Sequence, residues 1–225
     1  MAKNSIEIVG ILDRSGSMQN LEEATIDGYN DFIKKQKAEG PGRVTLAIFD
    51  DQYDLVYEQL SLKKVPKLKN DVYYARGMTA LRDAVGRTIT AVHERYKNGK
   101  RPDKTLVFIV TDGYENASTE YTQEQIKKMI KKRTKDGWEF FFMGANVDSF
   151  AVGRDHGIAK SHIANYTHSK IGTKDVYASA SMAVLRSRQG SPVDDSLSLS
   201  DLMDMEEEER DAFVSSENDS NEPES

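Results

Sequence analysis

The sequence predicts a three-layer α/β/α fold, with a mostly parallel central sheet that contains one antiparallel hairpin and helices on both faces. Three observations carry this. Short apolar runs alternate along the 225 residues with stretches of helical periodicity. The run TLVFIV, Thr105 to Val110, is continuously apolar, as a strand covered on both faces must be. Two further runs are separated only by Asp50-Asp51-Gln52, which reads as a hairpin with a short polar turn.

The elements follow in order. Residues 6–12 form the first strand, interrupted only by Glu7 and Gly10. Leu21, Thr25, Tyr29, Phe32, Ile33 and Gln36 then keep helical spacing until Gly40-Pro41-Gly42 stops the helix. The hairpin occupies 44–49 and 53–57. A lysine-rich connector around Pro66 leads to Gly77-Met78-Thr79, and Leu81, Val85, Ile89 and Val92 mark one face of a helix over 80–96. The central strand at 105–110 runs into Thr111-Asp112-Gly113. Thr122-Gln123-Glu124-Gln125 reads as a capping box that opens a helix reaching Lys135. Residues 138–143 give another apolar strand. A short helix over 148–156, a short strand over 163–166 and a helix over 175–188 complete the pattern.

Composition narrows the function classes. There is no cysteine, which excludes disulfides and thiolate metal sites and suits a reducing cytoplasm. No apolar run approaches the roughly 18 residues of a membrane span. The opening MAKNSIEIVGIL is too short and too soon acidic for a signal peptide. The net charge of −6 is unevenly spread: residues 191–225 hold thirteen Asp and Glu against one Arg, whereas 1–190 hold 30 basic and 24 acidic side chains. The expected organisation is therefore one domain over 1–190 and an acidic, disordered tail over 191–225, too polar to offset its ordering entropy. Residues 200–214 of that tail could form an acidic helix anchored by Leu202, Met205 and Phe213, supplying carboxylates in cis.

The chemistry gathers at predicted strand ends. In open α/β sheets ligands bind beyond the carboxyl ends of the strands. Asp13, Ser15 and Ser17 follow the first strand, Asp112 follows the central strand, and Thr79 opens the helix at 80. Two carboxylates and three hydroxyls suit a hard divalent cation such as Mg²⁺, which takes six oxygens near 2.1 Å. Five protein groups leave a position for water or for an oxygen from another molecule. Taken singly, the first segment also reads as an Asx-turn and helix cap, Thr79 as a cap and Asp112-Gly113 as a turn.

Asp13-x-Ser15-x-Ser17, then Thr79 in Gly-Met-Thr-Ala-Leu, then Thr111-Asp112-Gly113 resemble the metal-ion-dependent adhesion site (MIDAS) of von Willebrand factor A (vWA) domains. The pattern is complete and in order, and the likeness extends over residues 5–187. The resemblance implies a Rossmann-like vWA fold of the stand-alone bacterial or phage type. It also implies that Asp13, Ser15, Ser17, Thr79 and Asp112 hold Mg²⁺ or Mn²⁺, and that a protein partner completes the coordination with an Asp or Glu. Such domains bind proteins and do not turn over substrates. Arg14 and Tyr114 flank ligand segments and are expected on the rim.

Two other functions compete. Lys127, Lys128, Lys131, Lys132 and Lys135 share a helix face opposite Ile126, Met129 and Ile130, a stripe that would attract nucleic-acid phosphates. A Mg²⁺-dependent phosphatase also places an aspartate nucleophile after its first strand, but needs a second acid where this chain has Ser15. The four histidines show no spacing that marks a general base. His93 reads as a surface or boundary residue of its helix, and His156, His162 and His168 as solvated loop residues.

Overall fold

The computed structural model describes residues 5–99, 101–145, 148–206, 208–210 and 212. Its strands are β1 (Ile6–Asp13), β2 (Arg43–Phe49), β3 (Tyr53–Ser61), β4 (Lys104–Thr111), β5 (Trp138–Gly144) and β6 (Ile163–Asn165). Its helices are α1 (Glu22–Glu39), α2 (Leu81–Asn98), α3 (Gln123–Lys135), α4 (Ser149–Asp155), α5 (Lys170–Gln189) and α6 (Leu199–Asp204). The strands form a single sheet in the order β3-β2-β1-β4-β5-β6. Only the β2–β3 pair is antiparallel; β1 pairs in parallel with β2 on one side and β4 on the other. The chain winds outward from β1 in one direction and then from β4 in the other. The β1–β4 junction is therefore the topological switch point, where such sheets open a crevice.

The central strands are buried on both faces, as their unbroken apolar sequence requires. Ile6, Ile8 and Leu12 of β1 and Leu106, Phe108 and Val110 of β4 face α1 and α5, meeting Tyr29, Phe32, Ile33, Val176, Ala180 and Val184. The alternate residues Val9, Ile11, Val107 and Ile109 face the opposite layer, where Leu81, Val85, Ile89, Ile126 and Ile130 of α2 and α3 cover them. The period of two along each strand thus distributes one apolar run over two cores. The two layers fix β1 and β4 along their whole length, and so hold the loops at their carboxyl ends.

Three boundaries differ from the sequence expectation. β3 continues to Ser61, beyond residue 57, past a register shift opposite Val44 and Leu46. Gln59 there has φ 51°, and its N–H turns to the Thr45 hydroxyl at 3.1 Å, so the bulge breaks the alternation that would mark a longer strand. α5 begins at Lys170, five residues before the predicted start, because Ser169 caps it by accepting the Gly172 N–H at 3.0 Å. The third difference is at the carboxyl end. The domain does not stop at 190: Val193, Leu199, Leu202 and Met203 are buried in the core.

α6 opens with a capping box formed by Ser198 and Asp201 and lies against α5. Arg210 extends the attachment, donating to Asp175 at 3.0 Å and to the Met203 carbonyl at 2.7 Å. The acidic composition of 191–225 hides this, because Leu199, Leu202 and Met203 keep helical spacing among Ser and Asp. Phe213, one of the expected tail anchors, lies outside the described residues. No helix among the described residues is long and apolar enough to cross a membrane.

Candidate metal centre

The five candidate residues come from three loops at the switch point. β1 ends at Asp13, and the chain passes through Ser15 into a 3-10 turn over Gly16–Leu21 before α1. Thr79 stands just ahead of α2, and Asp112 directly follows β4. Asp13, Ser15, Thr79 and Asp112 are buried, while Ser17 is exposed at the mouth.

The structure brings all five together. The Ser15 and Ser17 hydroxyl oxygens lie 3.1 Å apart, and Ser17 donates to Asp112 Oδ1 at 2.6 Å. Asp13 Oδ1 accepts the Ser15 N–H at 2.6 Å, and Oδ2 accepts the Thr111 hydroxyl. Thr79 joins through the position beside Gly113. A Cβ there would stand 3.0 Å from Thr79 Oγ1, 3.4 Å from Ser17 Oγ and 3.8 Å from Ser15 Oγ. Three hydroxyls thus border one small cradle beside Gly113, where a side chain at residue 113 would press on Thr79.

This donor set fits a small hard cation. Two oxygens in adjacent positions of an octahedron with 2.1 Å bonds are about 3.0 Å apart, the spacing that the two serines already hold. Among the described residues no three His, Asp or Glu side chains gather as a cation cluster. The donors here are mostly hydroxyls, and two carboxylates suffice to balance a 2+ charge.

Electrostatics set the state of the cradle. Burial pushes the Asp13 carboxyl up to about 6, opposed by hydrogen bonds from Thr111 and Ser15 and reinforced by the Asp112 charge. Its folded value thus lies above the ordinary 3.8, so the folded chain holds the proton more tightly. Without metal, stability from this group is greatest below the unfolded value and falls as pH rises through about 6. The shift corresponds to about 3 kcal/mol. Melting curves in EDTA should show this decline, and it should shrink in Asp13→Asn; equal declines in both proteins would contradict it.

Several supporting residues carry no signal in the sequence pattern. Asn116 Oδ1 accepts the Thr79 N–H at 2.8 Å, and the Thr79 carbonyl accepts the Asn116 N–H at 3.0 Å, which fixes Thr79 ahead of its helix. The Tyr73 hydroxyl donates to the Asp13 carbonyl. His168, from the β6–α5 loop, sets Nε2 2.8 Å from Asp112 Oδ2.

The histidine expectation is thereby corrected. His168 borders the site, His156 is buried and His162 stacks on Phe141 with ring centroids 4.8 Å apart. Burial lowers the pKa of both His156 and His162. Arg14 is also not on the rim: it is 2% exposed and paired with Asp50 and Asp54. Tyr114, 59% exposed, does stand at the surface beside the site.

No protein-family model and no curated protein matches the chain. Solved structures do. The vWF domain of the type V pili tip protein Mfa5 from Porphyromonas gingivalis superposes with a TM-score of 0.60 at 10% identity, covering 83% of this chain and 97% of that one. This is a vWA-like fold. The PilB minor pilin from Streptococcus sanguinis gives a TM-score of 0.62 at 11% identity, covering 83% of this chain and 63% of the pilin chain. Proximal thread matrix protein 1 from the mussel byssus, in a structure described as having a zinc-occupied MIDAS motif, gives 0.56 at 15% identity, covering 79% of this chain and 46% of that one. The chain therefore spans less than two thirds of the pilin and about half of the matrix protein. At these identities the likeness concerns the vWA-like fold.

Proposed function

We propose that this chain is a divalent-metal-dependent protein-binding module. Asp13, Ser15, Ser17, Thr79 and Asp112 would hold Mg²⁺ or Mn²⁺, and an Asp or Glu from a protein partner would complete the coordination. The observation that carries this reading is the cradle beside Gly113, where three hydroxyls converge within reach of two buried carboxylates. The cation supplies a Lewis-acidic site for a partner carboxylate. The chain's own residues orient and shield: Thr111 and the Ser15 amide hold Asp13, Asn116 holds Thr79, and His168 holds Asp112.

The pilins and the byssus matrix protein among the structural neighbours favour an adhesive or scaffolding role over catalysis. A phosphatase reading loses further ground because each Asp13 oxygen already accepts a hydrogen bond and Ser15 offers no general acid. The lysines of α3 are solvent-exposed, and Lys128 is paired with Glu124 at 3.4 Å, as on an ordinary solvated face. A cytoplasmic setting, from the cysteine-free composition, belongs to the same proposal.

The test is capture of acidic partner proteins on the immobilised chain, in Mg²⁺ and in EDTA, with Gly113→Ala alongside. The alanine methyl would stand 3.0 Å from Thr79 Oγ1 and crowd the cradle without changing any charge. Capture in Mg²⁺ that disappears in EDTA and in Gly113→Ala is the expected result. Equal capture in EDTA would overturn the metal-dependent reading.

A further inference from the structure

We propose that His168 is a positioning residue that makes the site select a small six-coordinate cation over Ca²⁺. The inference rests on the cation reading above and goes beyond it by assigning the selectivity.

It starts from how the carboxylate oxygens of Asp112 are engaged. Oδ1 accepts the Ser17 hydroxyl at 2.6 Å, on the cradle side. Oδ2 faces His168 Nε2 at 2.8 Å, and the same nitrogen lies 3.3 Å from the Ser17 carbonyl oxygen. Both neighbours of Nε2 are acceptors, so this nitrogen carries the hydrogen and donates it. Oδ2 is thereby tied away from the cradle, and Asp112 presents a single oxygen to it. Asp13 is restricted too, with one donor on each oxygen.

Coordination number follows from this restriction. Ca²⁺ takes six to eight oxygens at about 2.3–2.6 Å and often gains them from bidentate carboxylates, whereas Mg²⁺ takes six near 2.1 Å. A carboxylate held to one oxygen lowers the ligand count available to Ca²⁺ and leaves the smaller octahedron intact. Hydrogen-bond partners of metal ligands commonly change affinity by about 10–100-fold when removed.

The histidine is held firmly enough for this role. On one side, the Tyr166 N–H donates to the Gly144 carbonyl at 2.9 Å, fixing the chain where β6 ends. On the other, Ser169 caps α5, and a Cβ at Gly172 would stand 2.1 Å from the Thr167 carbonyl oxygen. The imidazole is only 23% exposed. It enters the site from a segment packed on both sides.

The test measures Mn²⁺ binding by electron paramagnetic resonance, with Mg²⁺ and Ca²⁺ as competitors, on the full chain and on His168→Ala and His168→Gln. Glutamine keeps an N–H donor near the place of Nε2, so it separates hydrogen bonding from mere filling of space. The Mg²⁺-over-Ca²⁺ preference should fall about tenfold or more in His168→Ala and largely return in His168→Gln. An unchanged preference in His168→Ala, or a His168→Gln protein as unselective as the alanine variant, would overturn the assignment. If none of the three proteins binds Mn²⁺, the cation reading itself fails, a result distinct from binding without the histidine effect.

Discussion

Asp13→Ala should abolish the Mg²⁺-dependent stabilisation that the proposed site predicts for the wild-type chain, while leaving the metal-free fold in place. Asp13 contributes one of the two carboxylates at the cradle, and a site of hydroxyls and one carboxylate no longer balances a 2+ charge. At a Mg²⁺ concentration 100 times the dissociation constant, binding stabilises the folded state by about 2.7 kcal/mol. For a domain of this size that raises the melting temperature by about 5–10 °C, and the variant should show none of it. The fold should survive, because Tyr73 bonds to the backbone carbonyl of residue 13, which alanine retains. The variant leaves the Ser15 N–H and the Thr111 hydroxyl without their Asp13 acceptor, so the Mg²⁺ shift is read against each protein's own melting temperature in EDTA. A variant that kept the full Mg²⁺ shift would remove Asp13 from the site.

Asp50→Ala should produce the largest loss of stability. Asp50 is fully buried and its Oδ2 accepts from Arg14 Nε at 3.0 Å and from Arg76 Nε at 2.5 Å. Arg14 is itself 2% exposed, and its other carboxylate partner, Asp54, is half in solvent. Removing Asp50 strands a guanidinium inside the protein, and breaking a buried pair in this way costs about 3–5 kcal/mol. The backbone joins the same network: the Arg14 carbonyl accepts the Arg76 N–H at 2.8 Å, and the Asp50 carbonyl accepts the Ala80 N–H at 2.9 Å. The pair therefore ties the loop after β1 to the segment that carries Thr79. Urea unfolding should register the full loss in EDTA, without reference to metal. A loss below about 1 kcal/mol, the level of an exposed pair, would show that Arg76 and Asp54 suffice to hold Arg14.

What could be read in advance follows a physical division. The central strands were legible because burial on both faces demands unbroken apolar runs, and 105–110 is such a run. The five candidate donors were legible because each stands immediately at a strand end or helix start, where short oxygen side chains have few other reasons to coincide. His168 was not. It lies 56 residues beyond Asp112, in a loop without periodicity, and only the packing of β6 beside β5 brings it to the site. Arg14 was misplaced for a related reason. Its charge suggested the surface, and the acidic partners that allow its burial sit on β3 and the β2–β3 turn. The helix at α6 was anticipated, with Leu202 among its anchors, but its packing into the core was hidden by composition, since three buried apolar side chains among Ser and Asp do not lift the local average. Asn116 and Tyr73 act through backbone groups of the donor residues, and no residue-type pattern marks such contacts.

The most direct measurement of the central claim is a calorimetric titration of Mg²⁺ into the full chain and into Asp13→Ala at neutral pH. One saturable site in the wild type, absent in the variant, is the result expected from five oxygen donors around one cradle. No saturable binding to the wild type, or equal binding to both proteins, would contradict it.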